Sequence, residues 1–234
     1  MDETLHHTLE EIKKLKIASY EKELQMKSTM LQYYQIQIRP HFYLNCLKNI
    51  YGMVEEKNYN NIQKLILYLS RHLRYMLQED SILVSIEEEL QYVKNYIYIQ
   101  QISMKYPPEC MIDVDTDVIH CQIPAISILS FVENSVKYSI SPDGNLHIKI
   151  KVQLLENDDS ELIYIRIADN GGGFTEENLK KYNYFDSNIN KGEHIGIYNV
   201  IQRFQLYFGK ENVGFAFVNE NGAVVEIYVK KVGI

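Results

Sequence analysis

Hydrophobic positions change period once along the 234-residue chain. Before Pro107-Pro108 the spacing is helical and Pro40 is the only proline; after it, period-two alternation and glycine-bearing turns take over. A boundary is therefore expected between Met104 and Cys110. Residues 5–38 predict one long helix, because Ile17, Tyr20, Leu24, Leu31, Tyr34 and Ile38 follow three- and four-residue steps, with Lys27 the one interruption. That heptad seam predicts a parallel coiled coil; the plainer alternative is an amphipathic helix packed on its own domain. The same step continues to His41 and Asn45, and Pro40, which lacks an N–H, predicts a kink beside them.

A second helix is predicted over 60–78, with Ile62, Leu65, Ile66, Leu69, Leu73, Met76 and Leu77 on a broad apolar face and Arg71 and Arg74 near its end. Ser85-Ile86-Glu87-Glu88 is a capping box opening a third helix to about Ile102, with Leu90, Val93 and Ile97 inward. Two long antiparallel helices, doubled across a seam, would make a four-helix bundle in a dimer. In the second half, Met111–Val114 predicts a strand and Ile123–Ser139 a helix with Pro124 in its first turn. Leu146, Ile148, Ile150, Val152 and Leu154 alternate on one strand face; a turn at 156–160 returns the chain into a strand over 162–168. A helix Gly196–Phe208 ends at Gly209, and strands 213–219 and 223–230 flank Glu220-Asn221-Gly222. The fold class is α+β: a helical hairpin, then an α/β sandwich with one mixed sheet and helices on one face.

The composition, 46% apolar and 24% charged, is that of a globular chain and excludes a disordered or fibrous one. A net charge of −7 with no Lys/Arg block argues against a nucleic-acid partner. No apolar run reaches the roughly 18–20 residues that span a bilayer, and no secretory leader is expected. Cys46, Cys110 and Cys121, odd in number and without C-x-x-C spacing, fit a reducing compartment.

Three stretches carry candidate chemistry. Asp169-Asn170-Gly171-Gly172-Gly173-Phe174 follows a strand, where a carboxylate can accept from an exocyclic amine and glycines admit a planar ring; a tight turn capped by Asp is the plainer reading. Inside the next-upstream helix, Glu133, Asn134 and Lys137 share a side. Asn134 offers a neutral oxygen to Mg²⁺ and Lys137 a point charge to phosphate, while Glu133-Lys137 alone would be an exposed i,i+4 pair. The stretch from Gly192 through Gly196 to Asn199 opens a helix, whose free amides suit phosphate, after a long polar segment from Thr175 to His194.

In this order the three stretches resemble the ATP-binding domain shared by DNA gyrase, the large heat-shock chaperone and the sensor histidine kinases. The resemblance implies that Asn134 holds Mg²⁺, Asp169 reads adenine, Gly171, Gly173 and Gly196 shape the pocket beside Gly192, Lys137 and Asn199, and a lid spans about 175–195. Upstream, Arg39-Pro40-His41-Phe42-Tyr43-Leu44-Asn45 resembles the phosphoacceptor box of the Pro-His-Phe-x-x-Asn class of histidine kinases. Leu69-Ser70-x-x-Leu73-Arg74-Tyr75, Tyr96-x-x-Ile99-Gln100 and Val132-Glu133-Asn134 match the same class. The likeness covers about residues 30–231. It implies autophosphorylation of His41 from ATP and Mg²⁺, then phosphotransfer to an aspartate of a response-regulator receiver domain. Many such kinases carry an acidic residue after the histidine. Phe42 stands there, leaving Glu133 as candidate base if the two regions approach, and Asn45 as candidate to orient a water for dephosphorylating the regulator.

The implied organisation is a coiled-coil signalling helix (1–38), a dimerisation and phosphoacceptor region (39–104) and a catalytic ATP-binding domain (105–234). The chain would be a homodimer, the cytoplasmic part of an inner-membrane sensor anchored outside this chain. Two positions depart from the family: His194 replaces the first glycine before the last helix, and Tyr138-Ser139 replaces His-Gly. The alternatives are a protein-serine kinase of the same ATP fold and a non-catalytic nucleotide-binding scaffold.

Overall fold

The computed structural model describes residues 13–17, 20, 40–76, 83–139, 144–157, 160–183 and 195–231. The chain divides into two compact units, Met1–Gln37 and Ile38–Ile234. Of the helix expected over 5–38, only 13–17 and 20 are described, and they are helical; of the seam, Ile17 and Tyr20 are described and exposed, and its other residues and the segment before Pro40 lie outside the described residues.

In the second unit, α1 (Pro40–Glu55) opens on proline, whose fixed φ and missing N–H suit a first turn. The chain reverses through Lys57, left-handed at φ 56°, into α2 (Tyr59–Met76). Cys46, Leu65 and Leu69 form the inner face of this hairpin and close on Ile99 and Ile102 of α3 (Ile86–Ser103). Helix α3 follows the short strand β1 (Leu83–Ser85) and starts on the expected capping box. Ser85 Oγ accepts the Glu88 N–H at 3.1 Å, and the Glu88 carboxylate accepts the Ser85 N–H at 2.9 Å.

The main sheet has the order β2 (Glu109–Val114), β4 (His147–Asn157), β5 (Ser160–Asp169), β7 (Ala223–Lys230), β6 (Val213–Asn219). Strand β2 runs parallel to β4 and the other neighbours are antiparallel, so the sheet is mixed, as expected. Alternation places Ile148, Ile150 and Val152 in the core and leaves Lys149 and Lys151 exposed. Ile163, Ile165 and Ile167 of β5 and Ile227 and Val229 of β7 continue the same face. Each side chain so buried contributes about 1.5–3 kcal/mol. Helices α4 (Ser127–Tyr138) and α6 (Ile195–Phe208) share this core through Ile128, Leu129, Val132, Ile197, Val200, Ile201 and Phe204.

Two expectations need correction. Pro124 ends β3 (Gln122–Pro124) instead of opening a helix, because Ile123 pairs with Val84 of β1 and both are buried; α4 begins only after Ile126, which is left-handed at φ 61°. Leu90, Val93, Tyr96 and Ile97 of α3 share the core of the sheet across the segment 104–110. The change of period there marks the first strand of the sheet. Finally, the lid expected over 175–195 is partly a fixed element. Glu176–Asn183 forms α5, Tyr182 packs against Phe174 and Phe217, and the Asn183 amide exchanges hydrogen bonds of 2.8 and 2.9 Å with the Phe217 backbone.

Candidate functional site

The site begins where β5 ends. Asp169 is buried and its carboxylate is held from three sides. Oδ1 accepts the N–H of Gly171 at 2.9 Å and of Ala223 at 3.3 Å; Oδ2 accepts the Ser135 hydroxyl at 2.7 Å. A carboxylate oxygen has two acceptor positions, so Oδ2 retains one. The loop after Asp169 is fixed at both edges. Asn170 Oδ1 accepts the His147 N–H at 2.8 Å, and the Asn219 amide brackets Phe174 with bonds of 2.8 and 2.9 Å. Gly171 is forced by proximity, since a Cβ there would lie 2.4 Å from Ser139 Cβ. Gly173 is left-handed at φ 76° and would press a Cβ on Asn219.

Helix α4 carries the second stretch. Its apolar side buries Leu129 and Val132, and Ser135 on the same side reaches Asp169. Glu133 is buried too, so it is not half of an exposed pair with Lys137. Asn134 is half-buried. Lys137 is exposed, with Nζ 2.7 Å from the Tyr138 hydroxyl and over its ring. In the third stretch, Gly196 lies half-buried in the first turn of α6 and Asn199 is buried one turn on. Gly192 and His194 lie outside the described residues.

His41 is in the first turn of α1, its side chain outside the described set; Asn45 is exposed one turn later. The adjoining Phe42 packs on Tyr96 of α3 and His72 of α2. Burial and the negative charge of Glu133 push the Tyr43 hydroxyl up to about 12. Burial holds His72 down at about 4, and its Nδ1 has no hydrogen bond.

Several of these residues escaped sequence reasoning. Ser135 was detectable as a small hydroxyl on an otherwise apolar helix side. Gly222 reads as a plain turn, yet a Cβ there would fall 1.9 Å from the Asp169 carbonyl oxygen. Glu89 and Arg203, both buried, clamp the turn before α4 from opposite poles. Glu89 Oε2 accepts the Ile126 N–H at 2.9 Å and the Tyr75 hydroxyl, and Oε1 accepts the Leu129 N–H at 3.0 Å. Arg203 donates to the carbonyls of Ala125 and, at 3.2 Å, of Ile126. Burial raises the Glu89 carboxyl pKa, while the amides, Tyr75 and Arg203 pull it back; burial lowers Arg203 to about 10. A left-handed β-branched residue costs on the order of 1–3 kcal/mol, and this clamp holds Ile126 there.

Two family models match along the chain: "Histidine kinase" over residues 29–107 and "Histidine kinase-, DNA gyrase B-, and HSP90-like ATPase" over 127–232. Sensor histidine kinase YesM of Bacillus subtilis is 28% identical over 203 residues, covering 86% of this chain and 33% of the relative. Sensor protein LytS of Bacillus anthracis is 26% identical over 239 residues, covering 100% of this chain and 40% of the relative. The chain therefore spans about a third of the length of the curated relatives it matches. Among solved structures, the histidine kinase domain of the Erythrobacter litoralis blue-light activated kinase aligns with TM-score 0.46 and 11% identity, covering 90% of this chain and 94% of that one. Among the described residues no helix is long and apolar enough to cross a membrane. With both family models matched in order on one chain, beside sensor kinases as relatives, the protein belongs to the sensor histidine kinases of two-component systems.

Proposed function

We propose that this chain phosphorylates itself on His41 from ATP and passes the phosphoryl group to an aspartate of a response regulator. The observation that carries this reading is the Asp169 site: a buried carboxylate held by Gly171, Ala223 and Ser135 beside a glycine loop, on a chain whose α1 opens at Pro40-His41. The matched ATPase family makes ATP the nucleotide. Asp169 fits adenine, because Oδ2 keeps one acceptor position for an exocyclic amine and Gly171 and Gly173 leave room for a ring. Gly192, Gly196 and Asn199 would border the phosphates, with Lys137 as a cation free to swing toward them. Asn134 would hold Mg²⁺, a hard cation that takes few protein ligands and neutralises phosphate charge.

A neutral His41 nitrogen would form the P–N bond as the bond from the γ-phosphorus to ADP breaks, and Glu133 is the candidate acceptor of the ring proton. Asn45, one turn along α1, would orient a water for removing phosphate from the regulator. A homodimer is supported by Leu44, Leu47, Tyr51 and Val54, each more than half exposed, at three- and four-residue steps along α1. The whole protein would be a membrane-anchored sensor with this part on the cytoplasmic side.

The test is incubation with γ-labelled ATP and Mg²⁺, comparing wild type with His41→Gln. Label that needs His41, survives alkali and is lost in acid is the expected result. Acid-stable label would mean a serine kinase, and bound ATP without label a nucleotide-binding scaffold.

A further inference from the structure

One buried cluster joins the acceptor hairpin to both helices flanking the candidate nucleotide site. Tyr75 comes from α2, Glu89 from α3, Ile126 from the turn before α4, and Arg203 from α6. Helix α4 has no side-chain cap of its own, and Glu89 supplies one from another helix by accepting the Ile126 and Leu129 N–H groups. The Tyr75 hydroxyl sits inside this cap. It donates to Glu89 Oε2, and its oxygen lies 3.2 Å from the Ile126 N–H. Its ring is stacked on Tyr92 of α3. Other hairpin contacts are of a different kind: Phe42 meets Tyr96 of α3, and Asn49 meets the Ser103 carbonyl at 3.5 Å.

We infer that Tyr75 is a positioning residue: through the Glu89 cap it sets where the hairpin, and with it His41, stands against the helix bearing Glu133 and Asn134. This rests on the kinase reading above. Displacing α2 would strain hydrogen bonds of the α4 cap itself, and Arg203 grips the carbonyls of the same turn from α6. Because coupling is reciprocal, nucleotide bound against α4 must be felt at α2.

Tyr75→Phe keeps the stacked ring and removes only the hydroxyl. Three quantities are measured on the full chain: affinity for a non-hydrolysable ATP analogue with Mg²⁺, the rate of His41 phosphorylation at saturating ATP, and amide exchange over 59–76 with and without the analogue. The expected result is affinity within about twofold of wild type, a rate lower by about tenfold (~1.4 kcal/mol of barrier), and loss of analogue-induced protection over 59–76. A merely structural role would lower the melting temperature and leave the saturated rate and the protection as in wild type, which overturns the inference. Wild type that binds the analogue without forming phosphohistidine fails the kinase reading, and the exchange comparison then decides the coupling alone. Wild type showing no protection over 59–76, or keeping it in Tyr75→Phe, overturns the inference even if His41 is phosphorylated.

Discussion

The hairpin and the α/β layer bury their residues in opposite ways. In the layer, Ile148, Ile150, Ile165, Phe204 and Ile227 are fully enclosed, and the deepest charges are matched, Glu89 by backbone amides and Arg203 by carbonyls. In the hairpin, Leu44, Leu47, Tyr51 and Val54 of α1 and Tyr59, Ile66 and Leu67 of α2 face outward. The described residues of the layer enclose their apolar side chains within one chain. The hairpin is finished only on its α3 side and presents an apolar seam.

The sharpest way to break the comparison is to open the clamp in the layer. Glu89→Ala leaves Arg203 buried without its counter-charge and frees two amides, so unfolding free energy should fall by about 3–5 kcal/mol in chemical denaturation. A loss near zero would mean that the layer is not held from within. The hairpin has its own weak point in His72. Folded, the ring titrates near 4 because burial disfavours its charge; its ordinary value is 6.5. As pH falls from 6.5 toward 4, the unfolded chain takes up a proton that the folded chain refuses. Stability from the neutral ring is complete above that window and declines through it, by about 3 kcal/mol in total. His72→Phe should remove that part of the acid slope. Equal slopes in wild type and variant, compared at neutral pH and near pH 4, would refute the assignment.

The same division explains what could be read beforehand. Period-two residues such as Ile148, Ile150 and Val152 were legible because one sheet face is buried, and Asp169 with Gly171 and Gly173 because glycines so close together signal a constrained loop. Strands β1 and β3 are three residues each, too short to display a period, so in the sequence Pro124 reads as part of the helix that follows. Ile126 gives no left-handed signal, since that conformation is imposed by Glu89 and Arg203 from elsewhere in the fold. Glu89 closes a run of three glutamates that reads as a solvated face, and only the third is buried. The stretch 175–194 is mostly polar and its few apolar residues show no period, so α5 is not legible within it.

Smaller effects separate the two regions further. Asp169→Asn replaces an acceptor by an amide whose N–H₂ would face the Ser135 hydroxyl and any incoming amine. Nucleotide affinity should drop by about 2 kcal/mol, roughly thirtyfold, measured by titration with a fluorescent ATP analogue. Dimer dissociation should stay as in wild type. Unchanged affinity would remove Asp169 from the site.

The smallest effect tests the seam. Leu47 lies mid-way along α1 with its side chain outward, so truncation to Ala leaves the inner core of Cys46, Leu65 and Leu69 untouched. If a second copy covers that side chain, Leu47→Ala should weaken the dimer by about 1 kcal/mol, roughly fivefold in dissociation constant. Sedimentation equilibrium reads this directly, with the melting temperature of the diluted protein as control for the fold. An unchanged dissociation constant would move the interface off this stripe. A parallel loss of nucleotide affinity would be more damaging, because removing an outward leucine on α1 should not reach Asp169; the seam and the nucleotide site would then be one cooperative unit.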